Sequence, residues 1–442
     1  MKGLTMPNYH LATFNADVTI PIGHPCMGGG IPPAQRVDDP LWARGFVLWG
    51  DCDPIVLAAV DWCEIRNDAY ERWRAGLAEA AHTVPQRVMV TSVHQHDAPV
   101  VDLEAQRILE QHHAVGKICD LEFHERAVQR VAAAVREGLK TPRQVTHLGI
   151  GQAKVEKVAS NRRFLDANGK ISFARTSSTR DPQAHAAPEN TIDPFLKTLS
   201  FWDGEKPVLA VSCYATHPMS YYGRGGVSAD FVGMARARRQ KEDETTFQIY
   251  VSGCSGNVTA GKYNDGSPPN RPILADRIYQ AMVAAWKDTQ RHPLDKIAYR
   301  VVPLRLAPRT SAGFSIDELY KTIAAGAKPN ERVPGFAQCL AALGLSWRKR
   351  TDAGRGIDVP VVDFGVAQLL LLPAESYVEF QLHAQQTRPD SFVVTMGYGE
   401  CAPGYIPTDK AFEEGDTNLH DWCWVAPGAE RAMKAAIEAA LK

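Results

Sequence analysis

A chain of 442 residues with 45% hydrophobic and 22% charged side chains has the make-up of a folded globular protein, which excludes bulk disorder, collagen and a coiled coil. Lys and Arg number 49 against 50 Asp and Glu, for a net charge of −1, so there is no basic excess to attract nucleic acid or an anionic membrane. The longest apolar run, residues 366–373, falls far short of the ~20 residues that a membrane-spanning helix needs.

Nine cysteines, an odd number with no C-x-x-C pair, predict buried thiols in a reducing compartment rather than a disulfide framework or a zinc ribbon. The amino terminus carries no apolar core and no A-x-A cleavage site. The expected localisation is therefore cytoplasmic, or secreted or periplasmic if a leader has been removed. With no internal repeat and no low-complexity tract, a single catalytic-type domain spanning 1–442 is expected.

In chain order, the Gly- and Pro-rich stretch 23–33 reads as a loop with close backbone approach. Residues 67–82 read as a helix capped by Asp68, with Tyr70, Trp73, Leu77 and Ala81 on one stripe. A strand over 87–93 and an amphipathic helix over 121–139 follow, then a long surface loop over 176–194. Strands are expected at 207–214 and 246–252, with a helix at 272–288. The basic stretch 348–360 reads as a flexible connection, and strands at 367–372 and 391–396 precede a closing helix at 429–441. This alternation predicts an α/β fold, a mixed central sheet with helices packed on it.

Each of the five strands named runs into an abrupt polar or Gly-containing loop, which brings His94, His96, His217, Thr259, Glu375 and Tyr405 to strand carboxyl ends. Ligands of α/β sheets bind there, so these residues converge on one rim if the strands are parallel neighbours. Two histidines and a carboxylate suit a catalytic zinc that keeps a position open for water. In a strand, His94 and His96 share a face, so that either both bind one metal or one binds while the other carries protons. Each also has an ordinary reading: a histidine is more often structural, Glu375 would suit a helix N-terminus, and Tyr405 a core or rim position. His24 reads as a solvated loop residue, His112 and His113 as an exposed helix end, and Asp230 as a cap for a helix beginning near Phe231. His420, Asp421 and Trp422 read as packing near the terminal helix. The triple glycine 28–30 lacks the Lys-Ser/Thr of a phosphate loop, and neither G-x-S-x-G nor H-E-x-x-H occurs.

The ordered set HQHDAP (94–99), NRR (161–163), YATHPMS (214–220), SADFVG (228–233), GNVTAG (256–261), LPAES (372–376) and GYIPT (404–408) resembles the catalytic domain of the neutral/alkaline ceramidase family. The matching family pieces are THTHSGP-like, NRS, a short aromatic-rich segment with a lone His, SGD, GDVSPN, PGE and YVTT, and residues 39–48 resemble the family's DPLxARALVL opening. The match runs from about residue 14 to about residue 420. It implies a zinc hydrolase fold in which His94, His217, Glu375 and Tyr405 hold Zn2+. His96 would be an acid/base or substrate-contacting histidine, with His96 or Asp97 relaying a proton, Arg162 would bind or polarise the substrate carbonyl or the product carboxylate, and Thr259 stands where the family has a functional serine. The implied reaction is attack of metal-activated water on an amide (N-acyl) bond, in lipid or glycoconjugate metabolism.

The departures concern the substrate side. Asn257 replaces an acid, Thr259 a serine and Asp97 a serine, a family tyrosine becomes Phe412, and the family's C-terminal immunoglobulin-like domain is expected to be absent. The expected substrate is thus a small or amphiphilic molecule, with ceramide, another N-acyl compound and a sugar all left open. A carbohydrate-active or ester-cleaving metalloenzyme and a non-catalytic binding protein are the alternatives.

Overall fold

The computed structural model describes residues 8–50 and 52–442; of the stretch read for a leader, residues 1–7 lie outside the described residues. The α/β expectation holds, but among the described residues the strands divide into three larger mixed sheets and five two-stranded ladders instead of forming one central sheet. In the first, Tyr9–Asp17, Trp42–Trp49 and Ile55–Val60 pair antiparallel, and Val88–Ser92 adds parallel to Ile55–Val60. In the second, Lys206–Tyr214 lies between antiparallel Phe195–Asp203 and parallel Phe247–Ser252. In the third, Ala298–Leu304, Ile357–Asp363 and Ala367–Leu371 pair antiparallel and Phe392–Met396 joins in parallel.

The two-residue period of a strand sorts the core. From Ile55–Val60, Val56, Ala58 and Val60 join Trp73 and Leu77 of helix Asn67–Ala80 and Val128 and Val131 of helix Leu121–Gly138. The alternate residues Ile55, Leu57 and Ala59 join Leu199, Phe201 and Leu209 of the second sheet. Helices Asp230–Glu242 and Asn270–Lys287 cover the second sheet through Phe231, Ala235, Ile278 and Met282. Helix Leu121–Gly138 starts where Asp120 accepts the Phe123 N–H, whereas Asn67–Ala80 has no side-chain cap and carries Asp68 inside its first turn.

The stretch 348–360 is not a flexible connection. Its first residues finish helix Phe336–Asp352, where buried Arg350 bonds Glu400 and Glu71, and its last begin strand Ile357–Asp363. Its basic residues are helix-end cations with acidic partners, which composition alone cannot distinguish from a solvated loop. The nine cysteines are unpaired, and eight are buried. No helix among the described residues is long and apolar enough to cross a membrane.

The three sheets meet at the carboxyl ends of their parallel strands. The Ser92 N–H donates to the Tyr398 carbonyl at 2.9 Å, the Gly397 N–H to the Ser252 carbonyl at 2.9 Å, and the Ser252 hydroxyl to the Val93 carbonyl at 2.7 Å. Such buried backbone pairing between strand ends fixes the loops that follow them.

Candidate functional site

His94 stands two residues beyond Val88–Ser92, with φ of 76°, and its N–H donates to the Trp62 carbonyl. The strand has already ended, so the same-face argument for His94 and His96 does not apply. The left-handed turn at His94 brings the two rings edge-to-face, with centroids 5.0 Å apart. His217 follows Lys206–Tyr214 and its N–H donates to Val258. Glu375 is not a helix N-terminal carboxylate; with Ser376 it forms a short parallel ladder with Tyr405–Ile406, and helix Val378–Thr387 begins later. A Cβ on Gly256 would meet the Glu375 carbonyl at 2.2 Å, so glycine permits this close approach. Ala374 and Tyr398 also hold left-handed backbone, at φ 51° and 58°. Three non-glycine residues in that region beside one cluster carry strain of about 1–3 kcal/mol each, which the surrounding hydrogen bonds must hold in place.

The cluster is made of acceptors. His217 Nδ1 lies 2.6 Å from the Ser255 carbonyl and His94 Nδ1 lies 2.8 Å from the Cys63 carbonyl. Read from these partners, both imidazoles carry their proton on Nδ1 and turn an Nε2 lone pair inward. His217 Nε2 is 2.9 Å and His94 Nε2 3.3 Å from the same Glu375 oxygen, and among the described residues His94 Nε2 has no hydrogen-bond partner. Two lone pairs and a carboxylate facing each other in a dry interior repel unless a cation lies among them. His94, His217 and Glu375 offer ligand atoms all within 4.8 Å of one another, and this donor set fits a divalent cation.

Burial alone would raise the Glu375 carboxyl, but His94 and His217 hold it well below the usual range. Burial, reinforced by the Arg162 charge, pushes His217 down to about 4, the neutral form that ligates metals. Burial also pulls on His94, but Glu375 overrides it and raises the group above its ordinary value.

Tyr405 accepts a 2.7 Å hydrogen bond from Arg162 Nη1, which also donates to Asn418 Oδ1 at 3.1 Å. Burial drives the Tyr405 phenol far up and Arg162 opposes it, so ionisation of this hydroxyl would need a cation's charge as well. His96 packs edge-on against Tyr222, at 4.9 Å, and among the described residues neither of its buried ring nitrogens has a hydrogen-bond partner.

His94, His96, Arg162, Glu375 and Tyr405 line one cavity of about 290 Å³ together with Met27, Cys63, Met219, Tyr222, Phe336, Asn418, Asp421 and Trp422. His217, Asp97 and Thr259 are not in that lining; His217 is fully buried and reaches the cluster through Glu375. Asp97 points away, accepting the Gly223 N–H at 2.7 Å and facing Arg271 at 3.7 Å. The Thr259 hydroxyl donates to the Thr176 carbonyl, and its strand pairs with Ser160–Asn161. His24 is buried rather than solvated, with Nδ1 on the Pro25 carbonyl and Nε2 accepting the Asp120 N–H. Asp230 opens its helix, accepting the N–H groups of Phe231 and Ser220, and His112 and His113 are exposed beyond helix Leu103–Gln111. Asp421 and Trp422 are cavity wall rather than terminal packing.

Two residues escaped the sequence reading. Tyr398 stacks on His94 with centroids 4.3 Å apart and bonds the Ser255 hydroxyl at 2.6 Å. Cys63 forms a second group of candidate donors with His94 and His96. The signal for Tyr398 was an aromatic residue between two glycines after a strand; for Cys63 it was a polar break after the apolar run of Ile55–Val60.

Burial lifts the Asp97 carboxyl to about 7, against the downward pull of the Gly223 N–H and Arg271. A carboxyl raised above its unfolded value of ~4 stabilises the fold fully below that pH, and the contribution is lost as the pH rises through ~7. The melting temperature of the native protein is therefore expected to decline relative to Asp97→Asn between pH ~4 and ~7. A difference that stays constant over that range would show that Asp97 is not so perturbed.

No protein-family model matches the chain, and no curated protein matches it in sequence. Among solved structures it is similar to the neutral ceramidase from Pseudomonas aeruginosa, with a TM-score of 0.70 and 17% sequence identity, over 99% of this chain and 74% of that one. A ceramidase complexed with C2 is similar at a TM-score of 0.68 and 16% identity, over 98% and 74% of the two chains. The chain thus has the fold of the neutral ceramidases.

Proposed function

We propose that this protein is a metal-dependent hydrolase that cleaves an amide (N-acyl) bond. The observation that carries the reading is the trio of His94 Nε2, His217 Nε2 and the Glu375 carboxylate, facing one another where His94 and Glu375 line a cavity. These three side chains, with Tyr405 beside them, would hold a divalent cation, and nitrogen and oxygen donors of this kind favour zinc. When bound, such a cation supplies Lewis acidity at neutral pH.

The chain's own groups account for the remaining chemistry. Arg162, its Nη1 braced on Tyr405 and Asn418, directs its charge at the cavity and stabilises negative charge developing on the acyl oxygen. His96 has buried ring nitrogens free to take a proton from the attacking water and return it to the leaving nitrogen. Water oxygen joins the acyl carbon, the C–N bond breaks, and the products are a carboxylate and an amine. The similarity in fold to ceramidases favours an N-acyl substrate, and an ester would meet the same groups. Asp97 and Thr259 are left with supporting roles, through Gly223 and Thr176.

The test is release of amine from a panel of N-acyl compounds, and of alcohol from matched esters, by zinc-loaded and chelator-treated protein. Amine release that chelation abolishes and zinc restores is expected; alcohol release alone, or turnover indifferent to chelation, would overturn the reading. His96→Gln is expected to keep its cation while kcat falls by about 10²–10⁴-fold, the usual contribution of a general acid–base group. Loss of cation from that variant would make His96 a ligand instead.

A further inference from the structure

We infer that the substrate is a compact, hydroxyl-rich N-acyl compound of N-acylated amino-sugar size, whose hydroxyls meet the cavity rim at Asp421, and not a long-chain lipid amide. This rests on the hydrolase reading above and adds the substrate class. The first argument is size. A cavity of about 290 Å³ is at the small end of the ~300–1,000 Å³ usual for ligand sites, which matches one acylated ring better than a long alkyl chain.

The second argument is the polarity of the walls. Arg162 Nε is buried without a hydrogen-bond partner among the described residues. The Ser177 and Thr417 hydroxyls line the same cavity, and neither makes a hydrogen bond to the protein among the described residues. Asp421 is exposed at the cavity; its carboxylate meets only the neighbouring backbone N–H groups, its own and that of Trp422, and makes no ion pair among the described residues, so acceptor capacity remains for a ligand. Unused donors and acceptors at this density suit a ligand that carries many of its own, and would be left unpaired by an alkyl chain.

The third argument is a fixed aromatic wall. The Trp422 indole N–H donates at 2.9 Å to Glu64, which is fully buried and held by Arg66, so the ring beside Asp421 cannot turn aside. Tyr222 is part of the same lining. A rigid ring next to an acceptor offers a flat face for C–H groups and a hydrogen bond for the hydroxyls at their edge.

The experiment compares N-acetylglucosamine with N-acetylsphingosine, using zinc-loaded protein and Asp421→Asn, and follows both amine release and binding by calorimetry. The amino sugar is expected to be favoured in kcat/KM by at least about tenfold, and Asp421→Asn to raise its KM by about tenfold with kcat nearly unchanged. The KM for N-acetylsphingosine is expected not to move. Equal or better cleavage of N-acetylsphingosine, or an Asp421→Asn variant with unaltered KM for the amino sugar, overturns the inference and leaves the hydrolase reading intact. Calorimetric binding of the amino sugar that depends on Asp421, without amine release, supports the inference while removing the hydrolase reading.

Discussion

Glu375→Gln is expected to lower zinc affinity by at least about 100-fold, more than the loss usually seen when a group behind a ligand is removed, and to abolish amine release with it. Glutamine keeps the volume of the side chain, and the backbone pairing of Glu375 with Tyr405 is untouched. What disappears is the one negative charge that both His94 and His217 face. Two neutral imidazoles and the Tyr405 hydroxyl are left to hold a dication without the one carboxylate that offsets its charge. Equilibrium dialysis against zinc, with the metal counted by mass spectrometry, checks this directly. Native protein should hold about one equivalent, the stoichiometry of a single catalytic site. A Glu375→Gln variant that retains zinc at native affinity would place the cation elsewhere and remove the basis of the proposed reaction.

Why these residues could be found in the sequence, and others not, comes down to what each depends on. His94, His217 and Glu375 each follow an apolar run closely, and such runs identify buried strands without knowledge of their partners. Pairing is another matter. Lys206–Tyr214 takes one partner across the Gly204-Glu205 turn, for which Asp203-Gly204 is a local hairpin signal. Its other partner, Phe247–Ser252, lies beyond helix Asp230–Glu242, and nothing local announces it. Division into three sheets therefore stayed hidden, and with it the stacking of Tyr398 on His94, which exists only because those sheets meet. Asp97 shows the opposite error. It is three residues from His94, yet its carboxylate meets the Gly223 N–H and Arg271 while the adjacent His96 lines the cavity. Proximity in sequence misled because neighbouring side chains leave the backbone in different directions.

The largest expected effect on stability comes from Asp61, which connects the histidine segment to helix Asp230–Glu242. Arg236 donates to both Asp61 oxygens, at 2.7 and 2.6 Å, with both side chains nearly inaccessible. The same carboxylate accepts the Trp42 N–H and the Gln95 side chain, and Gln95 sits between His94 and His96. Asp61→Ala leaves a buried guanidinium unpaired and two further donors unsatisfied, so a loss of about 3–5 kcal/mol is expected. Against a typical total of ~5–15 kcal/mol that approaches the limit for a folded chain. Urea unfolding measures it, and Asp61→Leu combined with Arg236→Met separates the causes. If the unpaired charge is what destabilises, the double variant recovers most of the loss, because packed apolar side chains of similar size replace a buried ion pair at little cost. If the anchoring of Gln95 and Trp42 matters more, the double variant stays as unstable as Asp61→Ala. A loss from Asp61→Ala of less than about 1 kcal/mol, the level of an exposed ion pair, would contradict both accounts. Zinc affinity is expected to weaken along with stability in Asp61→Ala, since the segment that aims His94 at Glu375 would lose its hold on helix Asp230–Glu242.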